Sequence, residues 1–339
     1  KYSTTVSNGT AALEVALKSL DIKKGDEVII PNFTIISNAL AVIKVGATPK
    51  FIDCKINDWN MNYNEIEKKI TKKTKVIIAT HIYNFPCEIE KIQKLCKRKK
   101  LYLIEDAAEV LGLDFKKKKC GSFGDLSTFS FYSNKQVTTG EGGMISTNNK
   151  RLYEKCKNLK NLCFGKIDRF NHDDIGWNYR LSEFLSAISL AQLERLDEMV
   201  ELRKQSAKVF LEVMDECDFL IPQVTPEYSD NSYWALGIKF EEELAGVSWY
   251  DFRKAYMDNG GDGIYGAWSV PYLEPVMSDR NFINRFPDIY KNIRYERGLC
   301  PIAEEVQSKL MVFKTNYRNL DLAKRKADVL RKTIEGFVK

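Results

Sequence analysis

Only two histidines occur in the 339 residues, His81 and His172. The eight cysteines, at 54, 87, 96, 120, 156, 163, 217 and 300, form no C-x-x-C pair and no cluster with histidine. That spacing argues against zinc and iron–sulfur ligand sets, so no metal site is expected. No uninterrupted apolar run reaches the roughly 18 residues of a membrane-spanning helix, and no low-complexity tract occurs. Neither a membrane channel nor a disordered scaffold fits. The basic excess is small, +6 from 52 basic and 46 acidic side chains. The runs Lys97–Lys100 and Lys116–Lys119 read as solvated faces, because a nucleic-acid footprint needs a larger excess gathered on one surface. Scattered thiols, with no signal-like opening, predict a cytoplasmic setting.

Helix and strand signals alternate through the first two-thirds of the chain. Gly9–Leu20, Ser37–Val45, Asn64–Ile70 and Glu88–Lys97 carry helical spacing. Asp26–Pro31, Pro49–Asp53, Lys75–His81 and Leu101–Glu105 are short apolar runs bounded by turn residues. That order predicts an α/β domain with a mostly parallel sheet covered on both faces. Ligands in such sheets sit beyond the carboxyl ends of the strands, which draws attention to Pro31, Asp53, His81 and Asp106. Leu126–Tyr132 and Met144–Thr147 read as further strands around a glycine-rich turn. Ser182–Met214 reads as one long helical stretch that bridges domains or kinks. Beyond it, Ser232–Phe240 reads as strand, with helices over Trp249–Met257 and Leu320–Val338. The expected division is a large domain over 1–215 and a smaller α+β domain over 216–339.

Four motifs bear on chemistry. Ser7-Asn8-Gly9-Thr10-Ala11-Ala12 opens the first helix; it reads as a cap, or as a phosphate site built on free N–H groups. Asp106, directly after a strand, reads as a helix cap or as a carboxylate facing the ligand crevice. Lys135 ends FSFYSNK; it is a surface lysine unless partial burial lowers its pKa and favours imine chemistry. Thr138-Thr139-Gly140-Glu141-Gly142-Gly143 is a hairpin turn or a close backbone approach. Together they suit pyridoxal 5′-phosphate, whose aldehyde needs a lysine and whose ring nitrogen needs an acid. No G-x-G-x-x-G follows an early strand, which weakens a dinucleotide-binding alternative.

The motifs SNGTAAL, GDEVIIP, IEDAAE, GSFGDLSTFSFYSNK, TTGEGG and GWNYRLSEFLSAISLAQLERLD resemble, in order and spacing, the DegT/StrS sugar aminotransferases. These are enzymes of the aspartate aminotransferase fold (fold type I) that use pyridoxal 5′-phosphate. The likeness is close over residues 3–200 and looser through GDGIYGAWSVPYLEP and GLCP. It implies that Lys135 bonds the cofactor and moves protons, and that Asp106, 29 residues earlier, pairs with the ring nitrogen. Glu109 falls near the ring hydroxyl, where members carry Gln or Glu. Gly9, Thr10, Ala11 and Ser130 would hold the phosphate. Asn178 would reach the phosphate of a neighbouring subunit, which implies a homodimer with shared sites.

Three features depart from the pattern. Ile35 stands where many members stack an aromatic ring on the cofactor. Asn84 replaces glycine in H-x-Y-G, a change that Asn tolerates in left-handed geometry. Members also carry a helical segment of a few dozen residues ahead of the SNGT motif. His81 stands at a strand end facing the expected cofactor site, and His172 in a loop offered to a partner. The implied reaction passes the amino group of L-glutamate through the pyridoxamine 5′-phosphate form to a nucleotide-linked keto sugar, releasing 2-oxoglutarate. The DAAE and PNFTIIS stretches resemble enzymes that aminate C4 of 4-keto-6-deoxyhexoses, as in perosamine and viosamine synthesis, on GDP, UDP or dTDP. Arg169 and Arg180 are candidates for the substrate pyrophosphate. The alternatives are C3 amination, a dehydratase, whose relatives replace the lysine with histidine, and a non-catalytic regulatory protein.

Overall fold

The computed structural model describes all residues except 166, 169, 226–228, 338 and 339. Nine strands fall within the first 147 residues: β1 (Tyr2–Val6), β2 (Glu27–Pro31), β3 (Thr48–Ile52), β4 (Thr74–Thr80), β5 (Tyr102–Asp106), the short hairpin β6 (Asp114–Phe115) and β7 (Lys118–Lys119), β8 (Leu126–Ser130) and β9 (Gly143–Thr147). All but the hairpin form one sheet in the order β1-β9-β8-β5-β4-β2-β3. The five strands from β8 to β3 run parallel, and β9 pairs antiparallel with both β8 and β1.

Strand alternation buries both faces. Val28, Ile30, Val76, Ile78, Ile104 and Leu126 pack with helices α1 (Gly9–Ser19) and α2 (Ser37–Lys44). Ile29, Ile77, Ala79 and Leu103 point the other way, onto α4 (Ile89–Lys99) and the loops around β6 and β7. This two-sided burial is why the parallel strands read as continuous apolar runs. Helix α3 (Tyr63–Lys69) and helix α5 (Lys150–Leu159) complete the cover. Residues from Val270 to Leu310 return to the first core, with Tyr272, Tyr290 and Val306 fully buried in it.

A second sheet of four antiparallel strands joins β10 (Leu220–Pro222), β11 (Leu236–Phe240), β13 (Leu310–Phe313) and β12 (Tyr265–Gly266), in that order. It packs on the helices Trp249–Asp258 and Leu320–Glu335. One expectation is resolved and one corrected. The long helical stretch breaks, as its length allowed, into α6 (Glu183–Leu193) and α7 (Leu196–Met214), because Arg195 leaves helical geometry at φ −108° and ψ 10°. The strand expected from Ser232 starts only at Leu236, since Tyr233 turns the backbone to φ +46° and its N–H goes to the Asn231 side chain. No helix among the described residues is long and apolar enough to cross a membrane.

Candidate active site

Strand register builds one wall of the site. Thr80, Asp106 and Thr128 stand opposite one another at the carboxyl ends of three adjacent parallel strands. They lie two residues beyond Ile78, Ile104 and Leu126, on the same face, and all three line a cavity of about 520 Å³. Burial pushes the Asp106 carboxyl up, opposed by the Ala108 N–H, Lys135 and Asn38. Asn38 also donates to Thr80 Oγ1 at 2.8 Å.

Lys135 enters from the loop after β8. Its Nζ lies 3.7 Å from Glu109 Oε1 and 3.8 Å from the centre of the Trp234 ring. Burial holds its pKa below that of a free lysine, opposed by the charges of Glu109 and Asp106. Burial likewise lifts the Glu109 carboxyl to about 7, against the pull of Lys135. Glu109 Oε2 accepts the Tyr83 N–H at 2.8 Å, which fixes the carboxyl. The site thus holds a lysine biased toward its neutral, nucleophilic form beside two acids.

The opposite wall is the N-terminus of α1. Asn8 caps it, accepting the Ala11 N–H at 2.8 Å. The cap leaves the remaining donors of the first turn and the positive end of the helix dipole toward the cavity. The Thr10 and Ser37 hydroxyls sit 2.9 Å apart there, beside Ser130. Gly9 permits this approach, since a Cβ would stand 3.0 Å from Ser130 Cβ.

Gly9, Thr10, Ala11, Ile35, Asp106, Glu109, Ser130 and Lys135 therefore line one cavity. Asn178 does not; it is exposed and bridged to Asn161. Arg180 is also outside the cavity lining, donating to Asn161 Oδ1 at 2.9 Å, and Arg169 lies outside the described residues. His81 is a correction. It sits on the far face of the sheet, where its Nε2 meets Glu105 Oε1 at 2.9 Å and its Nδ1 accepts the Cys87 N–H. Cys120 lies close enough to complete a three-ligand set with them. Glu105, however, is already engaged by the N–H groups of Gly121, Phe123 and Gly124 and by the Ser127 hydroxyl. The cluster braces the strand end behind Asp106. His172 is exposed, with Nδ1 2.7 Å from the Leu162 carbonyl oxygen.

Among the lining residues to which the sequence assigned no role are Thr80, Thr128, Ser37, Trp234 and Trp268. The first two were implied by the same period-two logic that selected Asp106. The tryptophans carried no local signal. They stack parallel around Tyr83, with Tyr83 and Trp268 centred 4.7 Å apart at 9°. The residues fit pyridoxal 5′-phosphate. Thr128 Oγ1 is buried at the cavity wall with no protein partner, and the helix mouth is shaped for an anion.

Comparisons with known proteins agree with this geometry. The sequence profile of the DegT/DnrJ/EryC1/StrS aminotransferase family matches residues 1–252. GDP-perosamine synthase of Escherichia coli O157:H7 is 44% identical over 240 residues, 70% of this chain and 65% of that protein. The chain thus spans just under two thirds of that relative's length. The putative pyridoxal phosphate-dependent aminotransferase EpsN of Bacillus subtilis (strain 168) is 34% identical over 314 residues, 88% of this chain and 78% of that protein. The crystal structure of an aminotransferase from Psychrobacter cryohalolentis matches at a TM-score of 0.87 and 27% identity, covering 99% of this chain and 87% of that one.

Proposed function

The chain belongs to the DegT/DnrJ/EryC1/StrS aminotransferase family, and on that premise we propose that it moves the amino group of L-glutamate onto C4 of a GDP-linked 4-keto-6-deoxyhexose. The observation that carries this is the meeting of Lys135, Glu109 and Asp106 in the cavity that faces the mouth of α1. The relative named GDP-perosamine synthase supports the nucleotide and the C4 position.

When bound, pyridoxal 5′-phosphate supplies an aldehyde that takes an amino group and a ring that accepts electrons. The Gly9 and Thr10 N–H groups, with the Thr10 and Ser130 hydroxyls, would be the donors for its phosphate. Asp106, held in register with Thr80 and Thr128, would keep the ring nitrogen protonated by its charge. The Lys135 amine, its pKa lowered by burial, would be the group that holds the cofactor aldehyde and the base placed to move a proton at the reacting carbon. Glu109, fixed by the Tyr83 N–H, takes or returns a proton at Lys135 Nζ. Ile35 packs over the cavity mouth in place of a stacking ring. Residues 1–215 supply most of the proposed cofactor site, and Trp234 and Trp268 complete its wall; the expected boundary at 215 is not a clean one, because the segment from Val270 to Leu310 packs on the first core and the end of α7 on the second.

The active unit in this proposal is a homodimer. Helix α6 is inverted for a monomer, burying only Ser189 while Phe184 and Leu190 are 75% and 61% exposed. Such an apolar face calls for a partner. The helix also reaches the site, as Gln192 Oε1 accepts the Thr138 N–H at 3.0 Å beside the cavity-lining Glu141. Exposed Asn178 is then free to serve the partner's phosphate. The eight unpaired thiols support a reducing, cytoplasmic setting.

The test incubates the protein with pyridoxal 5′-phosphate, L-glutamate and a GDP-linked 4-keto-6-deoxyhexose, and follows 2-oxoglutarate and the sugar product by mass spectrometry. The expected product carries an amino group in place of the C4 keto oxygen. Turnover with 3-keto sugars alone contradicts the C4 assignment, and no turnover with either contradicts the aminotransfer.

A further inference from the structure

We propose that Arg203 is a positioning residue for Lys135: its guanidinium locks the peptide that carries the lysine and sets a second positive charge near the amine. This rests on the role given to Lys135 above. Arg203 lies on the buried stripe of α7 with Val200, Ala207 and Phe210, where helical periodicity asks for an apolar side chain. It is only 7% exposed. Among the described residues no carboxylate stands within ion-pairing distance of it, and burial alone lowers its pKa, to about 10. A buried guanidinium without a counter-ion is costly unless its donors are satisfied, and here backbone supplies most of the acceptors. Nη1 donates to the Trp234 carbonyl at 2.9 Å and to Thr315 Oγ1 at 3.3 Å. Nη2 donates to the carbonyls of Asn134 at 3.2 Å and Lys135 at 3.0 Å.

One rigid fork therefore spans the lysine loop and the segment carrying Trp234, a geometry that a lysine does not reproduce. Weaker ties run alongside it. Gln136 Nε2 donates to Ser232 Oγ at 3.0 Å and Trp234 Nε1 to Asn134 Oδ1 at 3.3 Å. Those neutral pairs join the two segments but leave the Lys135 carbonyl to the guanidinium, which engages it directly. The guanidinium also adds charge. Three charged groups act on the Lys135 amine: Glu109 and Asp106 favour its protonated form, and Arg203 opposes it. Arg203 thus holds the peptide that carries the amine and adds to burial, the larger effect, a push against the two acids.

The test reads Lys135 itself in cofactor-free protein, by pulse labelling with an amine-directed reagent across pH and peptide mass spectrometry. R203M removes fork and charge; its labelling midpoint is expected to rise by about 0.5–1 pH unit. R203K keeps the charge and loses the fork; its midpoint should stay within about 0.3 unit of the parent, while cofactor retention on gel filtration falls. If R203M does not fold, R203Q carries the same prediction. An unmoved midpoint in the neutral variant overturns the proposal, as does R203K shifting as far as the neutral variant. Failure of the aminotransfer reading is distinct, because it shows as parent protein that gains no visible absorbance with pyridoxal 5′-phosphate.

Discussion

At the scale of single residues, one step along a strand separates chemistry from scaffolding. Glu105 and Asp106 are neighbours in sequence, yet Glu105 braces His81 on one face of the sheet and Asp106 lines the cavity on the other. The strand end after LYLIE was legible, because ligands in parallel sheets gather there. His81 was misplaced because proximity to the strand end outweighed the parity that sets its face. D106N should keep the fold and lower turnover by roughly 100-fold or more, the scale of losing one placed charge at a reacting system; steady-state kinetics beside circular dichroism decide it, and an unchanged rate would reduce Asp106 to a helix cap. Glu109 makes a pH prediction. Its carboxyl is raised to about 7 in the folded protein from 4.5, so the folded state binds this proton more tightly than the unfolded one. That stabilisation is full below pH 4.5 and is lost as pH rises through 7. Cofactor-free parent protein should therefore lose about 3 kcal/mol relative to E109Q across that interval, measured by urea unfolding. A constant separation between the two would contradict it.

At the scale of elements, the parallel core was legible because each strand is buried on both faces and reads as an apolar run. Strand and helix bounds matched to within a few residues. The parts that the sequence hid are held by contacts distant along the chain. Residues 232–235 read as the start of a strand, but side chains claim their backbone. Asn84 is one of them. It occupies φ +80°, as its tolerance of left-handed geometry allowed. Its side chain also donates to the Ala235 carbonyl at 2.6 Å and accepts the Ala235 N–H at 3.4 Å. A glycine there supplies the backbone freedom without the bonds. N84G should therefore cost about 1 kcal/mol, the loss of buried hydrogen bonds partly offset by relief at positive φ. Equal or greater stability of N84G in chemical unfolding would leave Asn84 a conformational role only. Trp234 and Trp268 were invisible for the same reason: only folding brings them to Lys135.

At the scale of the whole molecule, the cavity and the apolar helix α6 are parts of one design. The helix places Phe184, Leu190 and their neighbours in solvent at the edge of the site, and Ile175, 83% exposed, extends the apolar surface. If the protein is the proposed homodimer, F184D combined with L190D should convert it to monomer in sedimentation velocity and abolish turnover with it, since the proposed site draws on both subunits. A double variant that still sediments as the parent does would place the interface elsewhere. The central claim, that Lys135 anchors pyridoxal 5′-phosphate for amino transfer, is tested most directly by visible absorption of the parent and K135A with that cofactor, before and after L-glutamate. The parent should gain a protein-bound visible band that shifts when glutamate is added, and K135A should gain none. A band of equal strength in K135A, or a parent band that glutamate leaves unchanged, would contradict the account.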